Sequence, residues 1–537
     1  MMKSYTRLFS DLYAALVKDI VQSYPTIERD MERDLTRLRD TISTEGISFL
    51  TITHPEMCTF FQKALASQTI ASAGLGQPPR GFGRKSSVDA RPRYLNGLLA
   101  FVFDEDGTLR DDCDPTAVFF VRQWLLMAKK LNMECTDERM ESAYREFEEV
   151  DSSLPDHHHL TWDYNDPQWS PRHGHPLWGL PKRDDDRWLP GMGAHTPDDT
   201  QLDWKLFRSL CRDLTSSLGV CDPFKLRPKH GPGAVADGDG LKYEFRHWPA
   251  KLQAIFPWDF FACSDFGLYK ISEGREPDQR EVPSVVLAVP KTQKGPRIIC
   301  KEPTAHQWIQ GGVERWLYSR LPYTFLANSI DHQNQDVSQR LALEASREGD
   351  LATVDLSAAS DRLSTRLVEY VFQGEGDTSL LDALHACRSR LYRIGKTIRK
   401  FRKFAPMGSA CTFPVQSIVF ATLATFAVMQ TRGLGLSDRW SCADQVRVFG
   451  DDIIIPSDSY PVLLKVLTTC GLKVNASKSY ATGLFRESCG VDAFSGVDVT
   501  PAYVREVYKP SRHATLVSVV ECSNNFFKKG LWHTSSA

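Results

Sequence analysis

The sequence has no C-x-x-C pair, and its 13 cysteines are an odd, scattered set, which argues against a disulfide framework or a zinc ribbon. It also has no charge excess. Sixty-five Lys and Arg stand against 67 Asp and Glu, a formal charge of -2, so a general nucleic-acid coat is excluded and any nucleic-acid site must come from local clustering. Residues 1–12 mix Lys3, Arg7 and Asp11 with short apolar runs. They contain no continuous apolar stretch followed by a small-residue cleavage site, which predicts a cytoplasmic protein. No internal repeat or low-complexity tract is visible. Only residues 411–429 approach membrane-spanning hydrophobicity, and Thr412, Pro414, Gln416 and Ser417 interrupt them. A span needs roughly 20 predominantly apolar residues, so a buried helix is expected and no membrane partner.

What is present is a chain of 537 residues, 42% hydrophobic and 25% charged. At roughly 150 residues per domain this allows three or four domains, or one multi-lobed enzyme. The first 150 residues carry helical periodicity: 30–39 is a charged helix surface, and 118–131 spaces Phe119, Val121, Trp124, Leu125 and Met127 as a helix does. Residues 151–199 turn to Pro, Asp, His, Trp and Gly, an irregular connection. Its His157, His158, His159, His173 and His175 match no common zinc spacing and read as a solvated loop. A helical segment from Leu202 then leads to Lys225, Arg227, Lys229 and a glycine loop at 230–234.

Residues 98–109, L-L-A-F-V-F-D-E-D-G-T-L, resemble the first motif of haloacid-dehalogenase-type phosphatases, with Asp104 as nucleophile and Asp106 as acid and base. That chemistry needs a Lys and a second acidic pair on a doubly wound sheet. A polar turn follows instead, so a strand and turn sealed by Asp and Gly is the expectation.

Four later segments make a stronger set. In 285–302, Lys291, Lys294, Arg297 and Lys301 recur every three or four residues around a Gly-Pro turn between apolar runs. A β-hairpin presenting these four cations on one side would bind a triphosphate. In 351–363, Asp355 ends a buried strand, an expensive place for a carboxylate unless it meets a cation; Asp361 follows where a helix starts, with Ser357 or Ser360 near its N-cap. In 446–456, β-branched runs flank Gly450-Asp451-Asp452, a tight hairpin turn whose paired charges call for a divalent ion. Together with Asp355 they would suit two ions in the arrangement for in-line phosphoryl transfer. In 407–420, a Gly-Ser loop carrying Ser409 runs into an apolar helix with Thr412 and Gln416 one turn apart on one face.

This ordered set resembles the viral RNA-dependent RNA polymerases, and in detail the replicase subunit of single-stranded RNA bacteriophages. The matching blocks are V-P-K-x-x-K-x-x-R-x-x-C-K-E-P at 289–303, residues 331–342 ending Q-R-L-A, D-L-S-A-A-S-D at 355–361, M-G-S-A-x-T-F at 407–413, G-D-D-I at 450–453 and G-L-F-R-E-S-C-G at 483–490. Phe449 stands where many relatives have Tyr, and Gln416 where other RNA polymerases have Asn.

The resemblance implies an α+β right-hand fold of fingers, palm and thumb, with an antiparallel palm sheet behind a mainly helical N-terminal region. It divides the chain into 1–225 (N-terminal helices and fingers-associated segments), 226–354 (fingers), 355–375 and 405–495 (palm), 376–404 (a basic fingers insertion) and 496–537 (a short or partial thumb). It implies Asp355, Asp451 and Asp452 as ligands of two Mg2+ ions, with Mn2+ able to substitute, and Lys478 as the general acid for pyrophosphate departure. Lys291, Lys294, Arg297 and Lys301 would hold the incoming ribonucleoside triphosphate, with Asp361, Ser409, Thr412 and Gln416 at its ribose and the template. The basic run of Arg388, Arg390, Arg393, Lys396, Arg399 and Lys400, continuing to Arg402 and Lys403, would contact the RNA backbone. The partners implied are RNA template and product, ribonucleoside triphosphates, and host translation elongation factors with a ribosomal protein, in the cytoplasm of an infected bacterium.

Overall fold

A computed structural model describes residues 2–70, 77–83, 85–86, 88–155, 202–237, 242, 245–262, 281–374 and 377–537. The five histidines and nearly all of the irregular connection fall outside this set. The described chain is mixed α+β, and its N-terminal part is helical, with helices Met2–Ser23, Glu28–Glu45, His54–Ser67, Pro115–Leu126 and Asp137–Ser153.

Ten strands follow among the described residues: β1 (Ser284–Thr292), β2 (Gly295–Lys301), β3 (Leu351–Asp355), β4 (Leu391–Ile394), β5 (Thr397–Lys400), β6 (Arg447–Phe449), β7 (Asp452–Pro456), β8 (Phe485–Ser488), β9 (Val491–Phe494) and β10 (Val497–Asp498). They form three sheets, ordered β2-β1-β4-β5, β3-β7-β6 and β10-β9-β8. The second is antiparallel throughout, and its register pairs Asp355 with Asp452 and Phe449 with Asp452 across neighbouring strands. On the free edge of β3, Thr353 and Tyr480 exchange backbone hydrogen bonds at 2.8 and 2.9 Å and Asn475 N–H donates to the Asp355 carbonyl at 2.8 Å. Residues 473–480 are thereby laid alongside the strand that carries Asp355.

Behind this sheet lies helix Thr412–Arg432, buried at every position from Pro414 to Met429. Its β-branched and aromatic side chains would be poor choices for an isolated helix, but burying each removes apolar surface worth about 1.5–3 kcal/mol. The one helix apolar enough to span a bilayer among the described residues is thus a core helix, as its interrupting polar residues predict. Helix Trp204–Leu218 packs in the same core through Phe207, Leu210 and Leu214, beside the β3-β7-β6 sheet.

The second core joins distant parts of the chain. N-terminal side chains such as Leu98, Phe103 and Trp124 pack with Phe485, Phe494, Val499 and Phe526. The fully buried Arg122 guanidinium pairs with Asp492 on β9 and donates to the Val499 carbonyl at 3.1 Å. The tail is docked as well: the backbone N–H groups of His533 and Thr534 donate to the Asp19 carboxylate at 2.8 and 2.9 Å. Residues 496–537 therefore pack into the N-terminal core through Val499, Ala502, Val504, Phe526 and Leu531.

The 98–109 motif is corrected. Asn96–Leu99 is a short helix, and Phe103 makes a single bridge to Leu109 in place of a strand. Asp104 lies at the surface beside Arg110, at 3.3 Å. The Asp-Gly turn is closed by its own backbone and by Asp106 accepting from Thr108 N–H, so the phosphatase reading has no sheet to stand on.

Candidate active site

The β6–β7 connection is a two-residue turn, Gly450-Asp451, and Gly450 has φ +66°. A Cβ there would lie 2.8 Å from the Phe413 ring, so only glycine lets the turn close against helix Thr412–Arg432. Its N–H donates to Ser417 Oγ at 3.2 Å. The turn is thus fixed from behind, leaving Asp451 exposed on its tip beside Asp452 and, one strand over, Asp355.

These three carboxylates line a cleft of about 830 Å³ together with Lys291, Lys294, Arg297 and Lys478. The cations at 291–297 come from the β1–β2 hairpin, whose register breaks between Val289 and Thr292, turning its tip toward the carboxylates. Asp355 Oδ2 accepts a 2.6 Å hydrogen bond from Asn475 Nδ2, and Asp452 Oδ2 a 3.0 Å bond from Cys489 N–H. Lys478 Nζ lies 3.6 Å from Glu487.

Both charge groups repel themselves. Burial, and then the neighbouring Asp451, push the Asp452 carboxyl up to about 7. Burial also raises Asp355, against the pull of Lys478 and Asn475. Enclosure, with Arg297 and Lys478 nearby, lowers the Lys291 ammonium, while Lys478 is raised: burial opposes its charge, but Glu487, Asp355, Asp452 and Asp451 outweigh it. The acids call for cations and the facing bases for an anion, the combination offered by a metal-bound triphosphate. Carboxylate oxygens are the donor type that suits Mg2+, and Asp355 and Asp452 each have only one oxygen engaged by these bonds. No group of three His, Cys, Asp or Glu side chains converges tightly enough to hold a metal ion among the described residues.

Other sequence-predicted residues fall elsewhere. Lys301 is at the far end of β2 from the turn, paired with Val285, and does not line the cleft. The hairpin is too long for four cations to meet one ligand. Asp361 accepts from the buried Lys403 Nζ at 2.9 Å; its short helix is preceded by Ala358, with no side-chain cap from Ser357 or Ser360. Thr412 donates its hydroxyl to the Pro406 carbonyl at 2.7 Å, and Ser409 Oγ accepts from Cys411 N–H at 3.3 Å. Gln416 is buried against the Gly450 turn with its Oε1 unpartnered.

The basic run divides in two. Arg388 is buried and donates to the carbonyls of Phe404, Phe401 and Lys403, while Arg390 is held by Glu281 at 2.6 Å. Arg388 thereby satisfies loop carbonyls that water cannot reach, as a guanidinium's five donors allow, and Arg390 is engaged by a carboxylate. Arg393, Lys396, Arg399 and Lys400 lie on the β4–β5 hairpin, where Arg399 meets Glu148 at 3.0 Å.

Sequence reasoning did not find Asn475 or Glu487, nor the N-terminal wall of the cleft, which includes Lys129, Lys130 and Arg139. The Arg139 guanidinium donates to the Gln293 carbonyl at 2.5 Å, tying this wall to the hairpin tip. Asn475 sits in the G-L-K-V-N-A-S-K stretch before Lys478, the one local signal available; the N-terminal cations carry none.

A family model described as RNA replicase, beta-chain, matches residues 270–522. The RNA-directed RNA polymerase beta chains of Enterobacteria phage fr and Escherichia phage MS2 are 38% and 37% identical over 222 residues, 41% of this chain and 37% of each relative. The RNA-directed RNA polymerase subunit beta of Escherichia virus Qbeta is 37% identical over 251 residues, 46% of this chain and 39% of the relative. The matched stretch thus covers less than two-fifths of each of these relatives. The match bears out the resemblance to the phage replicases, and residues 270–522 contain Asp355, Asp451 and Asp452 and the hairpin cations Lys291, Lys294 and Arg297.

Proposed function

We propose that this chain is an RNA-directed RNA polymerase that replicates an RNA phage genome in the cytoplasm of its bacterial host. One observation carries the reading. Asp355 and Asp452 are register partners on adjacent strands beside the Asp451 turn, and they face Lys291, Lys294 and Arg297 across one cleft, within a stretch matching replicase beta chains. In this reading β3, β6 and β7 form the palm and the β1–β2 hairpin belongs to the fingers of a right-hand fold.

Asp355, Asp451 and Asp452 would hold the divalent cations, Mg2+ or Mn2+. When bound, these supply charge neutralisation of the triphosphate and activation of the primer 3'-hydroxyl. Lys291, Lys294 and Arg297 hold the phosphates in line, so that the hydroxyl oxygen bonds to the α-phosphorus as the bond to the pyrophosphate oxygen breaks. Alignment and charge stabilisation are most of what such a transfer requires. Lys478 Nζ, kept protonated by the surrounding carboxylates, donates a proton to the departing pyrophosphate. Asn475 fixes the rotamer of Asp355, and the exposed cations of the β4–β5 hairpin contact the RNA backbone. Host translation factors and a ribosomal protein complete the enzyme.

The test is incorporation of labelled ribonucleotides on a primed RNA with Mg2+, with and without bacterial extract. Asp451→Asn should abolish an incorporation that wild type shows. Incorporation surviving in Asp451→Asn overturns the reading.

A further inference from the structure

Outside the matched stretch, a second cleft of about 640 Å³ opens in the N-terminal helical region, lined by Arg33, Asp34, Arg37, Gly81, Gly83, Lys85, Arg93 and Asn96. Its volume lies in the range of ligand sites, yet its walls are mostly charged. Four cations line it against one acid.

The placement of those cations is built into the fold. Arg33 and Arg37 are one turn apart on helix Glu28–Glu45. The facing loop is closed by Lys85 N–H donating to the Arg91 carbonyl at 2.8 Å and Arg93 N–H to the Gly83 carbonyl at 3.2 Å, which brings Lys85 and Arg93 to the same side. Asp34, whose side chain is 2% exposed, accepts from Leu95 N–H at 3.0 Å and pins helix to loop.

The existing partners do not use up the positive charge. Arg33 lies 2.8 Å from Asp30 and 3.7 Å from Asp34. Lys85 lies 3.3 Å from Asp89, but both oxygens of that carboxylate are already taken by Arg91 at 2.9 Å. Arg37 donates to the Gly81 carbonyl at 3.3 Å and stacks 5.2 Å from the Tyr94 ring centre; it feels the Asp34 charge but has no ion pair within 4 Å among the described residues. Arg93 is exposed and has no ion pair among the described residues. Two guanidiniums held open toward one cleft, one of them fixed on an aromatic ring, suit bidentate recognition of phosphate.

We infer that this cleft is a second RNA-binding site, taking the phosphodiester backbone of a single strand through Arg37 and Arg93, with Arg33 and Lys85 on its flanks. The choice of RNA rests on the polymerase reading above. Its lining residues include no aromatic or aliphatic side chain on which a base could stack, so the site reads charge and spacing, not sequence.

The test measures binding of a single-stranded oligouridylate to the full chain across salt concentrations. Each lost phosphate contact lowers the slope of log K against log salt by roughly 0.7. The double substitution Arg37→Gln with Arg93→Gln should therefore lower it by about 1.4, a loss of affinity between about 50 and 200 mM salt that is ~7-fold smaller than in wild type. Arg93→Gln alone touches nothing structural and should lower the slope by about half as much. Unchanged slopes in both variants overturn the site, as does polyglutamate displacing the RNA equally well from wild type and the double variant. A wild type that polymerises while the variants keep its slope overturns this site alone. A wild type that fails to polymerise even with bacterial extract, while the variants lose slope, overturns the polymerase reading and leaves an RNA-binding site standing.

Discussion

The buried pair Arg122–Asp492 joins helix Pro115–Leu126 to β9 and so holds the N-terminal wall of the cleft against the β8–β9 hairpin, which carries Glu487 and Cys489. Its two halves should fail differently. A guanidinium cannot discard its proton, so Asp492→Ala leaves a full charge at a site where Arg122 is 1% exposed; breaking a buried pair in this way costs about 3–5 kcal/mol. Arg122→Met leaves a carboxyl that can escape by protonation. Taking up a proton at pH 7 from an ordinary value of about 3.9 costs roughly 4 kcal/mol, and at pH 5 only about 1.5. The penalty in Arg122→Met is therefore capped and shrinks with acid, in keeping with the rise that burial already imposes on Asp492 against the pull of Arg122. The Asp492→Ala penalty is flat over the same range. Amide exchange of a peptide covering 485–504 reports the local opening free energy directly. Between pH 7 and 5 Arg122→Met should recover about 2.5 kcal/mol relative to wild type while Asp492→Ala recovers none. Equal pH dependence in the two variants, or a cost under about 1 kcal/mol in either, refutes the reasoning.

Asn475→Ala removes the 2.6 Å donor to Asp355; a hydrogen bond to a charged group contributes about 1.5–3 kcal/mol, so nucleotide incorporation should fall roughly 10–100-fold, and an unchanged rate would show that the bond does not position the carboxylate. Gly408 has φ +126° and its Cβ would sit 1.9 Å from the Cys300 carbonyl oxygen, so Gly408→Ala should cost at least about 3 kcal/mol of strain and overpacking, whereas Gly395→Ala, at φ +58° in open space, should cost about 1; thermal unfolding compares the two, and equal losses would contradict the geometry. Burial, eased by Arg33 and the Leu95 N–H, raises the Asp34 carboxyl to about 7. The native state thus holds this proton more tightly than the unfolded chain, and stability falls as pH climbs from about 4 to 7. Asp34→Asn keeps an acceptor for Leu95 and removes the charge, so its melting temperature should exceed that of wild type at pH 8 and match it at pH 4; parallel curves would refute this.

How much of the site was legible in the sequence follows from what each residue must do locally. A carboxylate ending a β-branched run is costly unless it meets a cation, so Asp355, Asp451 and Asp452 announce themselves within a few residues, and the hairpin between them fixes their register. A cation gives no such signal, because the same guanidinium serves a loop carbonyl or a phosphate. Arg388 and Arg393 are indistinguishable by composition, and what separates them is the fold of 401–404 beneath one and open solvent above the other. Lys301 shares its alternation with Arg297 but lies too far down β2 to share its ligand. The N-terminal wall was illegible for a stronger reason: Lys129, Lys130 and Arg139 reach the cleft only because Phe485, Phe494 and Val499 are packed with Trp124 and its neighbours, more than 350 positions away in sequence. Near-zero net charge is equally uninformative here. Acids and bases that cancel over the whole chain are sorted by the fold into six acids facing seven cations in one cleft, and into four cations around one acid in another. A field that binds a triphosphate depends on that sorting, and the sum of charges leaves it undetermined.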